Sequence, residues 1–282
     1  MLKKLLAGAA ILAILLCGCS APAQKNEKSV AATTWPVCQF AQAVAEGTGV
    51  TVARVISEPV SCLHDYSLSV RQMEAVGKSA AVIISGAGLE DFMKDALAQA
   101  PAVIDASEGI ETTASDEGTD PHVWMDVKNA ETMVENIAKG LAELYPNDAA
   151  AFQKNADAYC RKLAALDEYG KNELKDLSCR ELVTFHDGFT YFAKAYDLTI
   201  AASIEEEAGS EASAKDLKGI SELVKKDKIP GIFVETNGST AAASVVSQAA
   251  GVKVYTLDMC LGKDDYLTAM KKNFDTIKGA LG

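Results

Sequence analysis

The chain has 282 residues, 49% apolar and 23% charged, with 39 Asp and Glu against 27 Lys and Arg, 7 Cys and only 3 His. This composition belongs to a chain that folds around a core and excludes a disordered or collagen-like one. The formal charge of −12 leaves no basic surface to neutralise phosphates, which argues against charge-driven binding to nucleic acid or anionic membranes.

At the N-terminus Lys3 and Lys4 precede an uncharged apolar run from Leu5 to Cys17. The run is too short to cross a bilayer comfortably and reads as an export signal. The string Leu16-Cys17-Gly18-Cys19 resembles a bacterial lipobox, with Cys19 as the residue that becomes lipidated; an ordinary secretory signal cut near Ala21 or Ala23 is the alternative. Either way residues 1–18 leave the mature fold, two lysines go with them, and the balance becomes 25 − 39 = −14. An acidic exported chain offers a favourable field to cations. With Cys17 removed and Cys19 used as the anchor, Cys38, Cys62, Cys160, Cys179 and Cys260 remain, an odd number that leaves at least one unpaired in a monomer.

Residues 19–28 read as a flexible tether, polar and without periodicity. Beyond it, β-branched runs near Ser29–Thr34, Val50–Ile56, Ala81–Ser85 and Ala102–Asp105 alternate with helical patterns near Val37–Glu46, Ser69–Lys78 and Leu89–Ala100. This alternation predicts βα units on a parallel sheet, an N-terminal α/β lobe over residues 29–146. Asp126 is placed to cap a helix whose apolar positions run from Val127 to Leu144. After Tyr145-Pro146, the positions Phe152, Ala156, Tyr159, Leu163, Leu166, Leu174 and Leu177 keep a spacing of three or four. The spacing predicts one helix from Asp148 to Ser178, 31 residues and about 46 Å long, inside a linking segment 147–178. The α/β alternation resumes over residues 179–282, with strands near Leu182–Phe185, Thr199–Ser203, Gly231–Glu235 and Val252–Leu257 and helices near Phe189–Tyr196, Ala214–Asp227, Thr240–Ala250 and Asp264–Leu281. The expected architecture is α/β, two lobes each with a small parallel sheet and flanking helices, joined by one long helix.

The three histidines fall at loops and strand ends. His64 follows the strand ending at Ile56, His122 stands in Asp120-Pro121-His122-Val123-Trp124 just before a helix start, and His186 follows the strand Leu182–Phe185. Asp258 ends the strand Val252–Leu257. Open α/β sheets bind ligands beyond the carboxyl ends of their strands. Three imidazoles and a carboxylate suit a tetrahedral divalent ion, zinc before others because the set is rich in nitrogen. Taken singly, each histidine reads more readily as a hydrogen-bonded structural residue than as a ligand; it is the three together at such positions that point to a metal.

Six ordered strings extend this reading: Thr33-Thr34-Trp35-Pro36-Val37, Leu63-His64-Asp65-Tyr66, Gly86-Ala87-Gly88-Leu89-Glu90, Asp120 to Asp126, Thr184 to Tyr196 and Tyr255-Thr256-Leu257-Asp258. Together they resemble successive motifs of the metal-binding (cluster A-I) solute-binding lipoproteins of ABC transporters, and the zinc-binding members in particular. The resemblance implies two lobes bridged by a long helix, with His64 and His122 from the first lobe and His186 and Asp258 from the second as ligands of Zn²⁺ carried in the cleft. Manganese-binding relatives usually place Glu where His186 stands, so Mn²⁺ is the less favoured cargo. It further implies an ABC permease as partner, a monomer held outside the cytoplasm by its lipid, and no enzymatic step. Asp65, Asp187 and Glu206 are the carboxylates placed to accept the second ring N–H of a ligand histidine. Trp35, Tyr66 and Trp124 line the cleft or pack in the core.

The chain departs from the family pattern in two places. The His-rich loop that many zinc-binding members carry before the second histidine is replaced by Glu108, Glu111, Asp116, Glu117 and Asp120, acids expected to form a solvated loop. Cys62 and Cys260 each stand two residues from an expected ligand, as a disulfide across the cleft mouth, as a thiolate donor, or as plain thiols. Cys160 and Cys179 are 19 residues apart, about 28 Å along a continuous helix, and do not pair with each other. Three other activities fit a metal site less well: a manganese carrier of the same fold, a zinc hydrolase, for which no H-E-x-x-H helix exists, and a surface adhesin with a structural ion.

Overall fold

A computed structural model describes residues 28–58, 66–115, 118–204, 212–236, 240–262 and 264–282. The signal segment, Cys19, residues 20–27 of the tether, Cys62, His64, Asp65 and Glu206 lie outside the described residues. Among the described residues no helix is long and apolar enough to cross a membrane.

Small and β-branched residues build the first lobe's sheet. Its strands are β1 (Ser29–Ala32), β2 (Thr51–Arg54), β3 (Ala81–Ile84) and β4 (Val103–Asp105), in the order β2-β1-β3-β4 and parallel throughout. The two inner strands bury Val30, Ala31, Ala32, Ala81, Val82 and Ile83, as a sheet covered on both faces requires. Helices α1 (Trp35–Ala45), α2 (Val70–Lys78) and α3 (Lys94–Leu97) connect these strands. The helix expected over Leu89–Ala100 is replaced by a 3₁₀ turn, Asp91–Met93, and the short α3. The reason lies just upstream, where the Glu90 carboxylate accepts the N–H groups of Ser85 and Gly86 and the hydroxyl of Thr33. That knot holds the chain in a turn across the ends of β1 and β3. Gly86 is required there, since its φ is +81° and a Cβ would lie 2.0 Å from Asp105 Oδ1.

A two-stranded antiparallel hairpin, β5 (Ala114–Ser115) and β6 (Gly118–Thr119), leads to a 3₁₀ turn, Val123–Met125, and then to α4 (Val127–Leu144). The long helix follows as α5 (Ala149–Leu174), 26 residues or about 39 Å, opened by a 3₁₀ turn at Pro146–Asp148. It stops short of the expected Ser178 because Arg180 turns back to cap it: Arg180 Nη2 donates to the carbonyls of Leu174 (3.0 Å) and Lys175 (2.8 Å), groups that a helix C-terminus leaves unpaired. The expected apolar stripe is buried at Phe152, Ala156, Leu163, Leu166 and Leu174.

The second lobe carries β7 (Glu181–Thr184), β8 (Thr199–Ser203), β9 (Gly231–Glu235) and β10 (Lys253–Leu257), with α6 (Thr190–Ala195), α7 (Ala214–Asp227), α8 (Ala241–Ala250) and α9 (Tyr266–Leu281). β7 pairs with β8 and β9 with β10, both parallel, and β7 lies beside β9. The spatial order β8, β7, β9, β10 repeats that of the first lobe. Among the described residues the buried apolar side chains form two clusters. The larger runs from the first sheet through α4 and α5 to α6 and α9, and the smaller joins β7 and β9 to α7 and α8. The strand period of two sends Leu182 and Phe233 to the larger cluster and Val183, Ile232 and Val234 to the smaller one.

Candidate metal centre

His122 is set by the chain immediately before it. Pro121 keeps the backbone extended, and Asp120 then turns its carboxylate onto the next residue but one. Asp120 Oδ1 accepts the His122 backbone N–H at 2.9 Å and lies 2.8 Å from His122 Nδ1. Both side chains are buried, at 2% and 6% exposure. A carboxylate against Nδ1 favours the tautomer that carries its proton there, leaving Nε2 as a lone-pair donor. Asp126 then caps α4 through Lys128 N–H at 2.8 Å, as its position in the sequence predicts. Asp120 thus departs from the expected solvated loop, whereas Glu108 and Glu111 are exposed; Asp116 and Glu117 lie outside the described residues.

His186 follows β7 and is 4% exposed. Its Nδ1 meets Oε1 of Glu235, the residue that ends β9 and is equally buried. Glu235 has the strand parity of Phe233, so it points toward the first lobe and away from the smaller cluster. The imidazoles of His122 and His186, from different lobes, stand 5.4 Å apart between ring centroids at 68°. Gly188 lies against the His186 ring, where a Cβ would come within 2.8 Å of Nε2 and 2.6 Å of Met259 Cε.

Asp258 follows β10, and Asn273 of α9 grips its backbone. Asp258 N–H donates to Asn273 Oδ1 (2.8 Å), and Asn273 Nδ2 donates to the Asp258 carbonyl (2.7 Å). Its Oδ1 accepts Cys260 N–H at 2.7 Å. Burial pushes the Asp258 carboxyl above its ordinary range, and the negative charges of Asp264 and Glu235 push in the same direction. Cys260 is a free, buried thiol, kept protonated by burial and by the carboxylates of Asp258 and Asp265. Among the described residues no group of three or more His, Cys, Asp or Glu side chains is assembled at ligating distance. His64, Asp65, Glu206 and Cys62 are outside them.

The remaining expected residues have other neighbours. Asp187 accepts the Thr190 hydroxyl at 3.1 Å, at the start of α6. Trp124 is fully buried and its Nε1 donates to the Met259 carbonyl (2.9 Å), while Tyr266 donates its hydroxyl to the Trp124 carbonyl (2.7 Å). Trp35 Nε1 donates to Asp264 O (2.9 Å) under the Arg54 guanidinium, and the Tyr66 hydroxyl donates to Glu58 (3.0 Å). A further link was not legible from spacing. The Tyr191 hydroxyl of α6 accepts Thr113 N–H (2.9 Å) and donates to the Asp120 carbonyl (2.8 Å), so the helix that follows His186 holds the segment that carries His122. The loop after Asp258 is likewise bonded to the first lobe, through Trp124, Trp35 and the Arg54 bond to Leu261 O (3.4 Å).

Comparison with known proteins bears on this arrangement. Residues 30–280 match the family model described as zinc-uptake complex component A, periplasmic (ZnuA). The zinc-binding lipoprotein AdcA of Streptococcus pneumoniae is 30% identical over 301 aligned positions, covering 96% of this chain and 59% of AdcA; the chain thus spans less than two thirds of that relative. The manganese-binding lipoprotein MntA of Halalkalibacterium halodurans is 29% identical over 77% of each chain. Among solved structures, the periplasmic zinc-binding protein TroA of Treponema pallidum superposes with a TM-score of 0.83 at 26% identity, covering 90% of this chain and 99% of TroA.

Proposed function

Since this chain belongs to the zinc-uptake complex component A family, we propose that it captures a divalent transition metal, Zn²⁺ before Mn²⁺, between its two lobes and delivers it to an ABC permease. The ligands are His64 and His122 from the first lobe and His186 and Asp258 from the second. One observation carries this reading: two buried imidazoles from opposite lobes face each other, each with a carboxylate against Nδ1. Paired in this way, each ring offers Nε2 as a donor. Three neutral nitrogens and one carboxylate oxygen replace the hydration shell of Zn²⁺ and close a tetrahedral site, which leaves no coordination position for a reactive water. The chain is therefore a carrier and not an enzyme.

The ion is cargo, and its release is tied to protons. Imidazoles bind metal only when neutral, so affinity falls as acid protonates them. Export, lipidation at Cys19 and a monomeric state complete the proposal, and the names of AdcA and MntA as lipoproteins support the anchor. MntA also supports the second reading, a manganese carrier, while the nitrogen-rich donor set favours zinc. The test is a competition titration of Zn²⁺ and Mn²⁺ on wild type and His186→Ala. The expected outcome is preference for Zn²⁺ and a loss of at least about tenfold in the variant. Tighter Mn²⁺ binding would reverse the cargo, and unchanged Zn²⁺ affinity in the variant would remove His186 from the site.

A further inference from the structure

Glu235 is only 4% exposed, and it lies at the end of a strand whose other residues are apolar and buried. A carboxylate there is costly to desolvate unless something compensates it. Its Oε1 meets His186 Nδ1 as an ion-pair contact, and that oxygen and both ring nitrogens are otherwise buried without a hydrogen-bond partner among the described residues. β7 and β9 lie side by side, so the contact joins the ends of neighbouring strands. The first lobe contains the same device, with Asp120 against Nδ1 of His122. In both cases the carboxylate meets the same ring atom, and the two paired rings face each other across the lobes.

We propose that Glu235 is the positioning residue for His186. It accepts the Nδ1 proton, fixes the tautomer whose Nε2 is bare, and turns that nitrogen toward the ion; this rests on the cleft reading above. Gly188 completes the arrangement by leaving room beside Nε2, which any Cβ there would crowd. The nearby Asp187 is engaged with Thr190 and does not compete for the role.

The experiment compares wild type, Glu235→Gln, Glu235→Ala and His186→Ala as purified protein. Long-range ¹H–¹⁵N correlation of the metal-free protein reports the His186 tautomer, its signal assigned by loss in His186→Ala. Zn²⁺ affinity is read by chelator competition, and the Co²⁺ absorption spectrum reports the donor set. The expected results are an Nδ1–H tautomer in wild type, its retention in Glu235→Gln, whose amide oxygen still accepts the proton, and its loss in Glu235→Ala. Affinity drops about 10- to 100-fold in Glu235→Ala and less in Glu235→Gln, with the Co²⁺ bands in place throughout. An Nε2–H tautomer in wild type overturns the proposal even if Glu235→Ala fails to fold. Co²⁺ bands that move in Glu235→Gln, with affinity lost as in His186→Ala, also overturn it, by making Glu235 a ligand. If His186→Ala itself leaves affinity unchanged, the cleft reading falls instead; if only Glu235→Ala does, the positioning role alone falls.

Discussion

Buried carboxylates govern how both described histidines present themselves, and neither was visible as such in the sequence. Asp120 stands two residues before His122 in an acidic stretch, and acids in a stretch usually face water; this one is turned inward by accepting the His122 N–H. Glu235 is far from His186 along the chain, and their contact exists only because β9 lies next to β7. The places of His186 and Asp258 just beyond β7 and β10 were legible because a polar residue at a strand end is a local signal. The packing against His186 leads to a prediction for Gly188. In Gly188→Ala the new methyl meets His186 Nε2 and Met259 Cε; methionine can yield, but a ring pinned by Glu235 cannot. Zn²⁺ affinity should fall at least about tenfold with the thermal transition little changed, as calorimetry with and without metal would show. Unaltered affinity would mean that Nε2 does not face the ion.

At the level of elements, the alternation of β-branched runs with helical patterns was a strong guide. β8, β9 and α7 have the expected bounds, and the strand pairs of both lobes are parallel, as βα units require. The two departures each involve a polar side chain that takes up backbone groups beside an expected helix end. Arg180 ends α5 early by taking its last carbonyls, and Glu90 ties the Ser85–Gly86 amides where the sequence pattern reads as the approach to a helix. Burial outweighs those hydrogen bonds and pushes the Glu90 carboxyl up to about 7. A glutamate in the unfolded chain titrates near 4.3, so between about 4.3 and 7 the folded state binds the extra proton. Stability therefore declines as pH rises through that window. Relative to Glu90→Gln, wild type should lose roughly 2 to 3 kcal/mol between pH 5 and pH 8. Urea denaturation at the two pH values measures it, and parallel pH dependence in the two proteins would show that Glu90 is not the group responsible.

Across the whole molecule the apolar packing does not follow chain order. The loop after Asp258 and helix α9 share the larger cluster with the first sheet and α5, and their hydrogen bonds run to Trp35, Arg54 and Trp124. What remains beyond that mass is the layer of α7 and α8, packed on β7 and β9 through the smaller cluster. Regions held by few apolar contacts open first, so α7 and α8 should exchange their amide protons faster than α4 and α5. If His186 is a ligand, Zn²⁺ should slow that exchange, because a ligand that binds the closed form suppresses opening. Hydrogen exchange read by mass spectrometry, with and without Zn²⁺, measures this. Equal protection in both states would disconnect the layer from the site.

The smaller cluster has a consequence for the strength of binding. Ile220 and Val224 of α7 and Val246 of α8 belong to it together with Val183, which lies three residues before His186, and Val234, which precedes Glu235. If His186 is a ligand, the fraction of molecules that holds that cluster closed is the fraction able to offer it to the ion, and apparent affinity scales with that fraction. Residues on the far side of the second lobe, with no atom near the metal, thereby take a share in setting how tightly the cargo is held.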